Sequence, residues 1–219
     1  MLFRSIFNQL VMNFISTNYQ RTATINYSIL GKFKPANIYR FFCLSLCRDE
    51  WYNVRVTLDD IKKLTGDKSL SKFNNDFKEY LDIKPYYIEC GFIYKSKRNI
   101  YHIPAMEEKC ITISRDLLSY EQPVAVKGFF IQLILLSLFS DIILEKKSII
   151  SALNIDKKTY DKYLSALIVA GLVTDGKVLV LHTDSILLKN NFSMQKILSK
   201  SRLLKKDMLN VDIKSENAK

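Results

Sequence analysis

Two segments, one in each half of the chain, place lysines beside small polar side chains that can contact nucleic acid. The first segment contains Ser71, Lys72, Asn74, Asn75 and Lys78, and the second contains Lys157, Lys158, Thr159 and Lys162. A third and more basic segment contains Lys95, Lys97 and Arg98. Asparagine can form a bidentate contact with adenine, lysine can reach guanine or a phosphate, and hydroxyl side chains can do either. All of these residues are therefore candidate DNA-binding residues.

No constellation of residues suited to catalysis is visible in the sequence. The strings G-x-G-x-x-G and G-x-x-x-x-G-K-[ST], which cradle phosphates in nucleotide-binding enzymes, are absent. The chain has two histidines, His102 and His182, and neither has other metal ligands at a suitable spacing. We interpret both as strand-end or core residues. We therefore expect a protein that is not an enzyme and that uses no cofactor or metal ion.

The charge of the chain favours a polyanionic partner. It carries 33 Lys and Arg against 22 Asp and Glu, which gives a net charge of +11 over 219 residues. The excess lies at the two ends and in residues 35–104, whereas residues 110–184 carry eight charges of each sign. Strongly basic proteins bind nucleic acids or anionic membranes. The longest apolar run, 124–144, contains Lys127 and Asp141, so we interpret it as a buried helix and expect double-stranded DNA rather than a membrane as the partner.

The cysteines and the first residues predict a cytoplasmic protein associated with DNA in the nucleoid. Cys43, Cys47, Cys90 and Cys110 show no C-x-x-C spacing and are expected to be buried thiols in a reducing compartment. The N-terminal residues do not have the pattern of a signal peptide.

The elements that would position the first set of candidates follow a recognisable order. The spacing of apolar residues predicts a helix over 36–47, a strand over 54–57, a helix opened by a Thr57-Asp60 capping box, a turn at Gly66 and a helix over 69–81. Strands over 86–94 and 100–103 follow, joined by a basic loop over 95–99. A helix-turn-helix followed by a hairpin is a winged helix, in which the second helix of the motif enters the major groove.

Residues 124–181 repeat this order of elements. We predict a helix over 124–140, a strand over 142–144, a helix over 147–153 and a helix over 157–170 that is capped by Asp156. A hairpin follows, with Asp175 and Gly176 as its two-residue turn. This second wing is short and acidic, so the first unit is the expected DNA reader.

The two units and the two ends divide the chain into four parts. We predict an amphipathic N-terminal extension over 1–34, winged-helix domains over 35–104 and 105–184, and a basic amphipathic helix with a disordered tail over 185–219. The fold class is α+β, mainly α with small β-hairpins, in two tandem winged helix-turn-helix domains with helical extensions. These extensions would serve formation of a homodimer or docking of a replication or transcription protein.

In this order of elements, residues 35–184 resemble tandem winged-helix proteins, especially the replication initiators of plasmids and mobile elements and the replisome organisers of phages. In the plasmid initiators two winged helices bind repeated origin sequences, and one unit can also serve dimerisation. The resemblance implies that 69–81 and 157–170 are the DNA-reading helices and that 95–99 is the wing. It also implies sequence-specific binding of double-stranded DNA in replication initiation.

Two other functions remain open at this point. A winged-helix transcription regulator has no motif that separates it from an initiator. The small tandem winged-helix subunits of chromosome-organising SMC complexes also share this order of elements, and they act mainly as protein scaffolds. The neutral second unit favours a scaffold, whereas the basic ends favour DNA binding.

Overall fold

The computed structural model describes residues 20–90 and 94–188, and it includes the side chains of residues 20–86 and 98–188. This part of the chain combines helices with small antiparallel sheets, so the expected α+β class is correct. Most of the predicted N-terminal extension (1–19) and of the predicted C-terminal helix (189–219) lies outside the described residues.

The described part of the chain contains six α-helices, eight strands and two 3₁₀ helices, Tyr27–Ile29 and Arg115–Ser119. The helices are α1 (Pro35–Leu46), α2 (Leu58–Thr65), α3 (Phe73–Phe77), α4 (Val124–Phe139), α5 (Lys146–Leu153) and α6 (Lys157–Val169). The strands are β1 (Thr22–Asn26), β2 (Asn53–Val54), β3 (Asp82–Cys90), β4 (Tyr94–His102), β5 (Cys110–Ser114), β6 (Val173–Thr174), β7 (Val180–Leu181) and β8 (Leu187–Leu188). They form antiparallel sheets with the orders β1-β5-β8, β2-β4-β3 and β6-β7.

The residues that predicted helix ends act as expected. At the start of α2, the Thr57 Oγ1 accepts a hydrogen bond from the Asp60 backbone N–H at 3.2 Å, and the Asp60 carboxylate accepts one from the Thr57 N–H at 3.0 Å. This pair is the predicted capping box. Gly66 ends α2 with a φ of 72°, a left-handed conformation that glycine adopts without a steric penalty. Asp156 caps α6 by accepting from the Thr159 N–H at 2.8 Å.

The predicted helix over 69–81 is wrong in its length, because α3 covers only Phe73–Phe77. Turns occupy 71–72 and 78–80. The Ser71 N–H donates to the Ser69 Oγ at 3.3 Å, and serine side chains that bond to nearby backbone favour turns over helix. The apolar face of the prediction is still buried, and it consists of Leu70, Phe73, Phe77 and Leu81.

The first hairpin is longer than predicted, and its basic segment lies in a strand. β3 and β4 have nine residues each and pair from Asp82 with His102 to Cys90 with Tyr94. The prediction that 95–99 is a loop is therefore wrong, since Lys95, Lys97 and Arg98 belong to β4. The residues of β3 that pair with 96–98 are Ile88, Tyr87 and Tyr86, which favour extended backbone and carry the pairing through the basic segment.

The second hairpin differs from the prediction in the opposite sense. β6 and β7 pair over two residues each, and 175–179 lie between them, so the predicted two-residue turn is wrong. The Leu179 N–H donates to the Leu144 carbonyl oxygen at 3.0 Å. This bond gives Leu179 a partner outside the hairpin and places Leu144 beside it. No strand forms over 142–144, so that prediction is wrong.

The sheet β1-β5-β8 was not predicted. β1 pairs with β5 over five residues, and Ile113 of β5 is in register with Leu187 of β8. Residues 22–26 lie in the predicted amphipathic N-terminal extension, and Leu187 lies in the predicted C-terminal helix. Both expectations are wrong at these positions, because pairing with β5 decides the conformation of short segments that have little preference of their own.

The helices α1 and α4 pack against each other at the centre of the core. Pro35 lies at the first turn of α1, as predicted, and a Cβ added at Gly128 of α4 would lie 1.7 Å from the Pro35 carbonyl oxygen. Only glycine permits this approach of the two backbones. Beside it, the Lys127 Nζ donates to the Tyr120 carbonyl oxygen at 3.1 Å and lies 4.5 Å from the centre of the Tyr39 ring. Burial lowers the pKa of Lys127.

The apolar helix α4 is buried over most of its length, as expected for a central helix. Among the helices in the described ranges, none combines the length and the apolar character that a membrane crossing requires.

Candidate nucleic-acid interface

A cleft of about 690 Å³ opens between the first turn of α2, the helix α3 and the hairpin β3–β4. The capping box of Thr57 and Asp60 fixes where α2 begins, and the first turn of α2 lines the cleft. The buried face of α3 packs on the hairpin, since the Phe73 and Tyr101 rings meet edge to face with centres 5.7 Å apart. Three separate segments of sequence thus meet at one surface.

Four of the residues predicted from sequence line this cleft together. They are Asn74, Asn75, Lys78 and Arg98. Asn75 and Lys78 are exposed, and Asn74 and Arg98 are half-buried. The cleft therefore combines two amides with two cations, a set that can bind both base edges and phosphates.

One of the two asparagines is held by the sheet. The Tyr101 hydroxyl donates to the Asn74 Oδ1, and the two oxygens are 3.0 Å apart. Burial raises the pKa of Tyr101, so its phenol stays protonated and acts as a donor throughout the neutral range.

The other predicted residues of the first unit lie beside this group. Ser71 and Lys72 are exposed in the turn before α3 but do not line the cleft. Lys95 and Lys97 lie on β4 in register with Glu89 and Tyr87 of β3. Their side chains lie outside the described part of the structure.

The second predicted set lies on the first two turns of α6. Lys157, Lys158 and Lys162 are exposed. Thr159 is half-buried, and its hydroxyl donates to the Asp156 Oδ2 at 2.6 Å, so Thr159 serves the cap of its own helix. These hydrogen bonds lower the pKa of Asp156.

The two histidines lie at strand ends, as expected. His102 Nδ1 lies 3.1 Å from Asn53 Oδ1, and His182 Nε2 lies 2.7 Å from Thr174 Oγ1. No group of three or more potential metal ligands occurs within the ranges that the structure describes. Gly171, Gly176 and Lys177 have the spacing of a phosphate-binding loop, but Val178 follows where such a loop has serine or threonine.

Sequence patterns did not assign the first turn of α2 or Tyr101 to this surface. Thr57, Leu58 and Asp59 line the cleft, as does Tyr101 of β4. The capping box marked where α2 begins, so its first turn could have been considered. Nothing in the sequence indicated the hydrogen bond from Tyr101 to Asn74, because it joins residues brought together only by the fold.

Comparison of the chain with protein-family models, with curated proteins and with solved structures finds no match.

Proposed function

We propose that this protein binds double-stranded DNA in a sequence-specific manner through a winged-helix unit of residues 35–102. The order α1, β2, α2, α3, β3 and β4 supports this proposal. In the sheet order β2-β4-β3, the short strand between the first two helices pairs with the last strand. In this unit α3 is the reading helix, and the hairpin β3–β4 is the wing.

The observation that carries the proposal is that Asn74, Asn75, Lys78 and Arg98 line one cleft between the helix and the hairpin. Cations supply most of the affinity for DNA by binding phosphates and releasing counterions. Amide side chains supply sequence preference by contacting base edges in the major groove. A surface that combines both groups can do both tasks at once.

The second half of the chain supports a second contact with DNA. The order α4, segment 142–144, α5, α6, β6 and β7 repeats the first, and the bond from Leu179 to Leu144 corresponds to the pairing of β4 with β2. Lys157 and Lys158 lie at the positive end of the α6 dipole, which disfavours cations there. A phosphate at this helix end would offset both the dipole and the lysine charges.

We place this DNA binding in replication initiation of a plasmid, phage or mobile element, working as a homodimer or with a replication protein. The resemblance to tandem winged-helix initiators supports this role. A transcription regulator would use the same surface on a promoter site.

A scaffold in an SMC-type complex is a second candidate, and one observation favours it. Ile143, Val178 and Val180 are between 42% and 59% exposed around the short second hairpin. Exposed apolar side chains close together in the fold suit contact with another protein.

Selection of bound fragments from the genome of origin tests the proposal. We expect clustered repeats beside a replication gene, with nanomolar affinity that falls steeply as salt rises. A single palindrome at a promoter would indicate a regulator instead. Weak binding without sequence preference, together with a tight protein partner, would overturn the proposal in favour of a scaffold.

A further inference from the structure

Tyr101 is fixed before any DNA arrives. Its side chain is 2% exposed, its ring packs edge to face on Phe73, and its backbone pairs with Ile83 of β3. The hydroxyl therefore has a set position, and it donates to the Asn74 Oδ1 at 3.0 Å. The Asn74 amide therefore cannot rotate to suit different bases without losing its hydrogen bond to Tyr101.

The hydrogen bond leaves the two ends of the Asn74 amide in different states. The oxygen is engaged by Tyr101, whereas among the described residues the Nδ2 has no partner and is not buried. A bidentate contact to adenine needs the amide oxygen and the amide nitrogen on the same base edge. With its oxygen bound to the sheet, Asn74 offers chiefly N–H donors to a ligand in the cleft.

The neighbouring Asn75 is in the opposite situation. It is exposed, it lines the same cleft, and it has no side-chain hydrogen bond within the part of the chain that the structure describes. Its amide can turn freely and can make the bidentate contact to adenine. The two adjacent asparagines thus carry the same amide group, but only the amide of Asn75 is free to rotate.

We propose that Tyr101 sets the base specificity of Asn74, so that Asn74 reads an acceptor edge, that of guanine with its N7 and O6, while Asn75 reads adenine. Tyr101 is a positioning residue, because it acts through Asn74 and does not touch the DNA. This inference rests on the proposed binding of DNA and names the base chemistry of that same site.

Selection from a random DNA library tests the inference with the full-length chain and three variants. The wild type is expected to prefer guanine over adenine at one position by about tenfold. In Tyr101→Phe, the amide oxygen of Asn74 is released, and this preference is expected to fall to about twofold as adenine becomes acceptable. In Asn74→Asp, the Tyr101 hydroxyl keeps an acceptor but the N–H donors are lost, so the preference should move to cytosine, whose N4 is a donor.

Asn75→Ala serves as the matched control, because it should change a different position of the site and leave the guanine position intact. Thermal unfolding of each variant separates a loss of fold from a change of specificity. If the wild type selects no sequence, the proposed function is overturned and this inference falls with it. If the wild type selects a site but Tyr101→Phe and Asn74→Asp keep the same base at every position, the hydrogen bond is merely structural and only the inference is overturned.

Discussion

The two halves of the described chain place three helices and a hairpin in a similar order, but with opposite emphasis. In the first half α3 has five residues and the strands of its hairpin have nine each. In the second half α6 has 13 residues and the strands of its hairpin have two each. The first half therefore offers a cleft between helix and hairpin, whereas the second offers the exposed face of a long helix. A similar order of elements thus produces two different kinds of surface.

The charges sharpen this contrast. Residues 110–184 carry equal numbers of acids and bases, whereas residues 35–104 have an excess of bases. Asp67 and Asp156 follow corresponding turns in the two halves and act differently. Asp67 forms an ion pair with Arg40 of α1, with oxygens 2.9 and 2.7 Å from Nε and a terminal nitrogen. Asp156 caps its own helix.

The largest expected effect is at the contact between α1 of the first half and α4 of the second half. Gly128→Ala should lower the free energy of unfolding by about 3 kcal/mol or more, because the new Cβ would overlap the Pro35 carbonyl oxygen. At an ordinary helix position the same change would stabilise by about 1 kcal/mol. Urea denaturation measures it, and we expect one transition that moves as a whole. Gly176→Ala is the control, since its Cβ would meet its nearest atom at 3.4 Å. An unchanged midpoint for Gly128→Ala would show that the two backbones do not approach this closely.

The next effect tests which half supplies the affinity for DNA. Lys78→Ala with Arg98→Ala should weaken binding about 100-fold and reduce the slope of log affinity against log salt by about two. Lys157→Ala with Lys158→Ala should weaken it less, about tenfold, if the second half is the minor contact. Lys84→Ala is the control, because Lys84 is an exposed lysine on β3 that pairs with Asp82 and does not line the cleft. Equal losses from the two pairs would contradict a division of labour between the halves.

A smaller effect tests the ion pair between Asp67 and Arg40. Burial raises the pKa of Asp67, but hydrogen bonds from Arg40 and Thr65 outweigh it and leave that pKa below its usual value. The folded state therefore gains stability above the pKa of the unfolded chain, near 3.8, and loses it as the pH falls through the lowered folded value. Asp67→Asn should cost about 2 kcal/mol at pH 7, a difference that shrinks below pH 4. Unfolding measured from pH 7 to pH 3 checks this, and a pH-independent difference would contradict the ion pair as its cause.

The smallest effect concerns base reading by the exposed amide. Asn75→Ala should weaken binding to the cognate site about tenfold and leave binding to unrelated DNA unchanged. Competition between cognate and random duplexes measures the ratio. A uniform loss on both duplexes would mean that Asn75 contacts the backbone rather than a base.

Local signals in the sequence predicted much of the fold correctly. Capping residues act within a few positions of themselves, so Thr57, Asp60 and Asp156 marked helix starts that the structure bears out. Apolar periodicity likewise predicted the buried face of α3 and the central position of α4. These features depend on neighbours in the chain and need no knowledge of the rest of the molecule.

What the sequence did not predict depends on distant partners. The extent of β4 depends on pairing with β3. The length of α3 is the exception, because the serine side chains that bend the chain before it are neighbours in the sequence. Within the candidate site, residue types indicated Asn74, Asn75, Lys78 and Arg98. The restraint of Asn74 by Tyr101 joins a helix to a strand and has no local signature.

The sheet β1-β5-β8 has a consequence for how the chain folds. Its central strand, β5, pairs with β1, which precedes the first half, and with β8, which follows the second half. Contacts between such distant segments raise the contact order, which slows folding, because a long loop must close before the pairing contributes any stability. During synthesis from the N-terminus, β1 and β5 can pair early, but β5 keeps an open edge until residues 187–188 have been made. The sheet can therefore be completed only after nearly all of the described chain has been synthesised.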